Sequence, residues 1–363
     1  MITRTLFLIL AHAMEGSEGF PTVSKVCKIQ VGGQNLLTSD GIYHHFPKIW
    51  ALDDSKLDQI KRWVADARQL PKGDPALLAG CMSVLFDVRR QAVRRLHLLP
   101  DAMAHCLTHA QEMVEGVEAG TLLLFDLGYY AFEWFDDLSR QGIWWVSRVR
   151  KKASYTIQHV LIQRDGYFEA IVQVGAYRSD HAAYSVRLIS FQYRGTWYRY
   201  FTNVLEPALL SGADVARLYA RRWDIELSFR LLKDHLKLRL LWSAKPEVIS
   251  VQVWASLILA QLCHSYQVQV AHEAGVDVFD VSLDLLVRYV PRFLAAGLDP
   301  VSNLVEVGAT IGIIRPSTRI KREVPTFDLW EYCWPPCDLP LQREPRYDHR
   351  PAGNSNRNKK ATA

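Results

Sequence analysis

The chain has 363 residues, 49% of them hydrophobic and 22% charged, with a formal net charge of +5. That is ample apolar material for one large domain with an insertion, or for two domains, and it excludes a disordered or low-complexity protein. The six cysteines are scattered without a C-x2-C pair, as in a reduced, cytoplasmic chain, and no G-x-G-x-x-G, P-loop or G-x-S-x-G pattern supports a small-molecule enzyme.

In chain order, Met1 to Ala13 mimics an export signal, with Arg4 before the apolar run from Leu6 to Leu10 and a small-x-small site at Ala11-His12-Ala13. The run is short for that purpose and reads better as a buried helix or an accidental start. Glycines interrupt residues 15–46, leaving one strand near Val26 to Val31. Lys48 to Asp53 (KIWALD) is a short apolar run ending in acid, so the pattern predicts a buried strand with a carboxylate at its C-terminal end. Asp54 is the rival carboxylate, and either residue could instead cap a helix predicted over Ser55 to Gln69.

Ala79 to Val88 and Ala92 to Leu99 read as two strands joined around Arg89-Arg90-Gln91, with Asp87 structural. A helix is expected from Asp101 to Glu118. His105 and His109 stand at i and i+4 within it, a metal-chelating spacing that has no visible third ligand and so reads as surface or core. Thr121 to Asp126 (TLLLFD) is the clearest strand; its carboxylate meets a Gly turn and would be presented at the sheet edge.

Ile143 to Ser147 is one more strand, and then the character changes. Alternation over Tyr155–Ile162, Tyr167–Val174, Tyr184–Tyr193 and Thr196–Thr202 predicts a β-rich subdomain. Residues 148–199 carry about +6, counting Arg187 among the cations and Glu169 among the acids, interleaved with aromatics that suit phosphate tracking and base stacking.

Ala213 to Leu240 reads as one long helix: Ser211 and Asp214 offer a capping start, no Pro or Gly follows, and Leu218, Ile225, Phe229, Leu232 and Leu236 recur at helical spacing. At about 100° per residue, Tyr219, Arg222, Glu226, Arg230 and Lys233 share one stripe, so a single carboxylate sits in a column of cations and a phenol. A solvated face with spaced ion pairs would show the same charges. Glu247 to His272 is apolar nearly all round but interrupted by Gln252, Gln261, His264 and Gln267, which predicts a buried helix rather than a membrane span. Val281 to Ala296 is a further helix. Cys333 to Pro351 is Pro-rich and expected to be disordered, as is the basic tail after it; Cys333, Cys337 and His349 make at most half a zinc site.

The spacing Tyr219-x2-Arg222-x3-Glu226-x6-Lys233 resembles the Tyr-Arg-Glu-Lys signature of DDE transposases of the insertion-sequence-four type. Asp126-x-Gly-Tyr is similar to that family's second-aspartate motif, and Asp53 matches the first in part. The resemblance covers roughly Lys48 to Val290. It implies an α/β fold: a ribonuclease-H-like mixed sheet with helices on both faces, interrupted by a β-rich insertion before the glutamate helix. The implied divisions are an N-terminal remnant 1–46, shortened relative to the family's end-reading domain; catalytic parts 47–147 and 209–295; an insertion 148–208; and a C-terminal region 296–363. Asp53, Asp126 and Glu226 would be catalytic ligands for Mg2+, with Mn2+ able to substitute. Tyr219, Arg222, Arg230 and Lys233 would contact DNA, and Trp197 or Tyr198 would be the platform for a flipped base. The partners implied are double-stranded DNA, as the element's terminal inverted repeats and as target, and a second copy of the chain, with no membrane. An inactive DNA-binding relic and a metal-dependent nuclease of the same fold are the alternatives.

Overall fold

The computed structural model describes residues 42–57 and 80–347, apart from 103, 177, 178, 240, 242, 244 and 318–322. The expectations for Met1 to Ala13, for Val26 to Val31, for residues 58–69 and for His349 lie outside these. The described residues form two compact units: one of those up to 117 with 121–125 and 217–317, the other of 118–120, 126–216 and 323–347.

The first unit is built on a mixed α/β sheet ordered β3-β2-β1-β4. Strand β1 (Ile49–Lys56) runs antiparallel to β2 (Cys81–Asp87) and parallel to β4 (Leu122–Phe125), while β3 (Ala92–Leu99) closes the β2 hairpin. Both β2 and β4 are buried at every position, so β4 reads as an unbroken apolar run and β2 as one interrupted only by Ser83 and closed by Asp87, as suits strands covered on two faces. The outer strand β3 instead alternates, with Arg94 and Arg95 kept off the core. Asp87 is structural as expected: its carboxylate takes the Arg94 guanidinium at 2.6 Å and the backbone N–H of Arg90.

The expected strand ending at Asp53 is longer than the sequence suggested. Pairing with β4 stops at Leu52, opposite Phe125, but pairing with β2 continues through Asp53, Asp54 and Ser55 to Lys56. Asp53 is therefore inside β1, one residue beyond the end of its parallel neighbour. The helix expected from Asp101 to Glu118 shrinks to a 3-10 turn at Cys106–Thr108 and a short helix α2 (Ala110–Val114), following α1 (Ile42–His45) in chain order. His105 delays its start, because its ring nitrogen accepts from the Leu107 N–H and so caps the turn at its N-terminal end.

The single long helix expected over residues 213–240 is broken. Helix α4 (Gly212–Arg221) gives way at Arg222 to α5 (Trp223–Arg230) and then to a π turn over Leu231–His235. Arg222 keeps helical dihedrals, but the Arg222 N–H donates to Tyr219 and the Ile225 N–H to Arg222, three residues back rather than four. The capping start is present, with the Asp214 N–H donating to Ser211 Oγ. Helix α6 (Pro246–Ala274) starts with Pro at its first turn and stops at the left-handed Gly275. By length and apolar composition alone it could cross a membrane, but about half of its apolar stretch is buried in the fold. Its Gln261 exchanges hydrogen bonds with Gln91 and Val93 of the β2–β3 hairpin. Helices α7 (Leu283–Ala295) and α8 (Pro300–Val307) pack on it around Val270, Leu286 and Leu304.

In the second unit the Asp126 turn leads to α3 (Phe132–Arg140) and β5 (Trp144–Arg148), followed by the antiparallel strands β6 (Tyr155–Arg164), β7 (Tyr167–Gly175), β8 (His181–Tyr193) and β9 (Thr196–Thr202). They are ordered β5-β9-β8-β7-β6. Two expectations change here. Arg187 and Glu169 do not belong to a basic surface: both side chains are fully buried, and they face each other on neighbouring strands. The Pro-rich stretch expected to be disordered is ordered over its described residues, 333–347. It crosses β6, where the Cys333 N–H donates to Leu161, and then pairs with the part of β8 that β9 does not reach, through Leu341, Arg343 and Arg346. Prolines leave it few N–H donors, yet alternate carbonyls and N–H groups suffice for an edge partner.

Candidate active site

Four of the five stripe residues take defined partners in the first unit. The Arg222 guanidinium lies between two carboxylates, with one nitrogen 2.9 Å from Asp53 Oδ2 and another 2.6 Å from Glu226 Oε1. A planar fork suits two oxygen acceptors in this way, and it joins a strand carboxylate to a helix carboxylate 173 positions further along the chain. Burial works against the Arg222 charge, but Tyr219, Asp53 and Glu226 outweigh it and hold its pKa above the ordinary value. Tyr219 is buried, and its hydroxyl donates to the carbonyl of Phe125, the last residue of β4. Lys233 donates to the carbonyl of Lys56, the last residue of β1. Arg230 is exposed. The helical stripe is thus the face turned to the ends of β1 and β4.

Asp126 directly follows Phe125, the register partner of Leu52, just as Asp53 follows Leu52. Its carboxylate accepts from the Gly128 N–H at 2.7 Å and caps the 3-10 turn Leu127–Tyr129. The rival Asp54 donates its own N–H to Asp53 Oδ1, which fixes the orientation of that carboxylate. Of the two platform candidates on β9, Trp197 is 53% exposed, whereas Tyr198 stacks on Phe191 at 5.6 Å.

Sequence reasoning passed over Asp224 and Gln91. Asp224 is almost fully buried, 2.7 Å from the Arg221 guanidinium, and accepts from Gln91 Nε2 at 3.0 Å. Its place two positions before Glu226 puts it about 200° round the helix, off the charged stripe, and that offset was the available signal. Trp223, 54% exposed beside Arg222, was also passed over.

Among the described residues no group of three or more His, Cys, Asp or Glu side chains closes on one point. Asp53 and Glu226 nevertheless supply hard oxygen donors on both sides of one cation, the guanidinium, and that donor set fits a hard divalent ion.

The family model for the transposase DDE domain matches residues 78–262, just over half of the chain. Asp126, Tyr219, Arg222, Glu226 and Lys233 fall inside that span and Asp53 ahead of it. Among curated relatives, the transposase InsG for insertion sequence element IS4 of Escherichia coli is 24% identical over 315 residues, covering 81% of this chain and 67% of that protein. A putative transposase for insertion sequence element IS4SA of Synechocystis sp. is 30% identical over 125 residues, covering 33% of this chain and 35% of the relative. A cryo-EM structure of the piggyBac transposase synaptic complex with hairpin DNA is similar over 77% of this chain and 59% of that one, at 11% identity and a TM-score of 0.41. The chain belongs to the DDE transposase family, and within it is of the insertion-sequence-four type.

Proposed function

We propose that this chain cuts DNA at the ends of a mobile element and joins those ends to target DNA by metal-dependent phosphoryl transfer. The observation that carries the reading is the meeting of Asp53 and Glu226 on one guanidinium, with Asp126 next in sequence to Phe125, the register partner of Leu52. In this reading the sheet β3-β2-β1-β4 is the core of a ribonuclease-H-like domain, and β6 to β9 are an insertion ahead of the glutamate helix.

Asp53, Asp126 and Glu226 would hold the divalent ions, Mg2+ or Mn2+. Such ions, when bound, activate the attacking water or 3'-hydroxyl and stabilise the leaving oxygen. The remaining work falls to the chain's own side chains. Arg222, already paired to both carboxylates, holds their oxygens toward a common point and offers its remaining N–H groups to a phosphate. Tyr219 and Lys233 brace the ends of β4 and β1, so the strand positions bearing the aspartates are fixed before DNA arrives. Arg230 and the exposed Trp197 are free of the core and suit backbone contact and base stacking. Tyr198, packed on Phe191, would support the platform rather than form it. The active species on DNA would be a dimer holding two ends.

The test is cleavage of DNA carrying the native element ends in Mg2+, comparing the chain with Glu226→Gln. The variant should bind DNA within about threefold of the original and cut none of it. Cleavage by the variant would remove Glu226 from the site, and cutting without joining would favour a nuclease of the same family.

A further inference from the structure

Asp224 lies two residues before Glu226 and so points to the other side of α5. Its surroundings are closed: the carboxylate is 1% exposed, its Oδ2 is 2.7 Å from Arg221 Nε, and the same oxygen accepts from Gln91 Nε2. Gln91 is itself buried and held in the left-handed region at φ 51, an uncommon conformation for a residue other than glycine. Its amide also donates to Val88, and its carbonyl accepts from Gln261 of α6. Arg221 lies 4.4 Å over the ring of Phe279. One hairpin turn is thereby tied to two helices by buried polar groups, and the hairpin's first strand pairs directly with β1, the strand that carries Asp53.

Adjacent arginines divide the work at the helix break. Arg221 turns inward to Asp224, and Arg222 turns to Asp53 and Glu226. A regular helix would leave the two side chains about 100° apart and free to slide as a body; here the first turn of α5 is pinned on opposite sides. We infer that Asp224, with Arg221 and Gln91, is a positioning residue: it clamps the helix bearing Glu226 to the β2–β3 hairpin and so sets that carboxylate against Asp53. This rests on the functional reading above for its consequence in catalysis, but the clamp itself is a statement about the helix.

A buried ion pair replaced as a whole by apolar side chains of similar volume commonly leaves stability unchanged or raises it. The full chain carrying Arg221→Met together with Asp224→Leu therefore separates positioning from mere stability, with Gln91→Leu as a second variant that keeps the ion pair and cuts the link to the hairpin together with the Gln91 amide's bond to Val88. Three measurements are made on each: the thermal midpoint, Mn2+ affinity by titration calorimetry, and backbone hydrogen exchange across residues 223–230. The double variant is expected to keep the midpoint and Gln91→Leu to lower it, because the latter leaves Asp224 and the Val88 carbonyl short of a donor; both should lose Mn2+ affinity by about 10–100-fold, the range seen when groups supporting metal ligands are removed, and exchange faster across α5 while β2 and β4 stay protected. Wild-type exchange across α5 in both variants would overturn the clamp. Faster exchange with unchanged Mn2+ affinity would overturn its role in setting Glu226. If Glu226→Gln has Mn2+ affinity equal to the original chain, the metal reading falls instead, and the exchange data alone decide whether the clamp exists.

Discussion

Arg222 satisfies two carboxylates that arrive from different elements, so its removal exposes both to each other's repulsion. In Arg222→Ala, complexes with DNA ends should weaken and the slope of log affinity against log salt should flatten by about one, the signature of a lost phosphate contact. An unaltered slope would mean that Arg222 serves only the carboxylates. His264 supplies a second test at the same scale. Burial pushes its pKa down from 6.5 to about 4, against the opposing influences of Gln267 and Asp224. Because the folded-state value is depressed, the stability it contributes is fully present above pH 6.5 and is lost as pH falls through about 4. His264→Gln should therefore flatten the fall in unfolding free energy between these pH values by a few kcal/mol. Chemical denaturation at several pH values would show it, and an unchanged acid limb would assign the pH dependence elsewhere. Of these residues, the stripe from Tyr219 to Lys233 was legible from spacing alone, because helical periodicity is local. The partners were not: Asp53 meets Arg222 across 169 positions of sequence, and His264 feels the charge of Asp224, a residue of a different helix.

Elements were legible in proportion to how locally they are caused. The alternation in residues 155–202 and the apolar runs of β2 and β4 identified those strands, since each pattern reports its own two faces. The break at Arg222 and the π turn after Arg230 were hidden, because no Gly or Pro marks them and their causes lie on β1 and the β2–β3 hairpin. The strap over residues 329–347 was hidden for the opposite reason: its proline content argues for disorder, and its order comes from β8. Two of its tyrosines reach buried carboxylates, Tyr332 donating to Glu169 and Tyr347 to Asp136. Tyr332→Phe and Tyr347→Phe should each lower stability by about 1.5–3 kcal/mol, the range for hydrogen bonds to charged groups. A chain terminated after residue 325 should lose more than both together, since the open side of β8 is then also unpaired. Thermal melts of the three variants decide this, and a truncated chain as stable as the original would show the strap to be ornamental.

For the whole molecule, the balance of charge matters more than its total. Arg187, counted at first among the surface cations, spends its charge on Glu169 in the interior, so on the proposed function the affinity for DNA would come from the remaining cations, including those after residue 343. If six or more phosphates are neutralised, affinity for duplex DNA should fall by about 10³–10⁵-fold between 50 and 200 mM salt. Filter binding across that range would reveal a smaller footprint as a shallower loss.

The strap also sets a clock. His181 at the start of β8 meets Glu344 only after 163 further residues have been made, which at about 5–20 residues per second takes on the order of 10–30 s. Throughout that interval a nascent chain carries β8 with one side of its first half bare, a template for any other extended segment nearby. Synthesis rate, and whatever shields that edge on the ribosome, therefore governs how much of the protein reaches its native pairing.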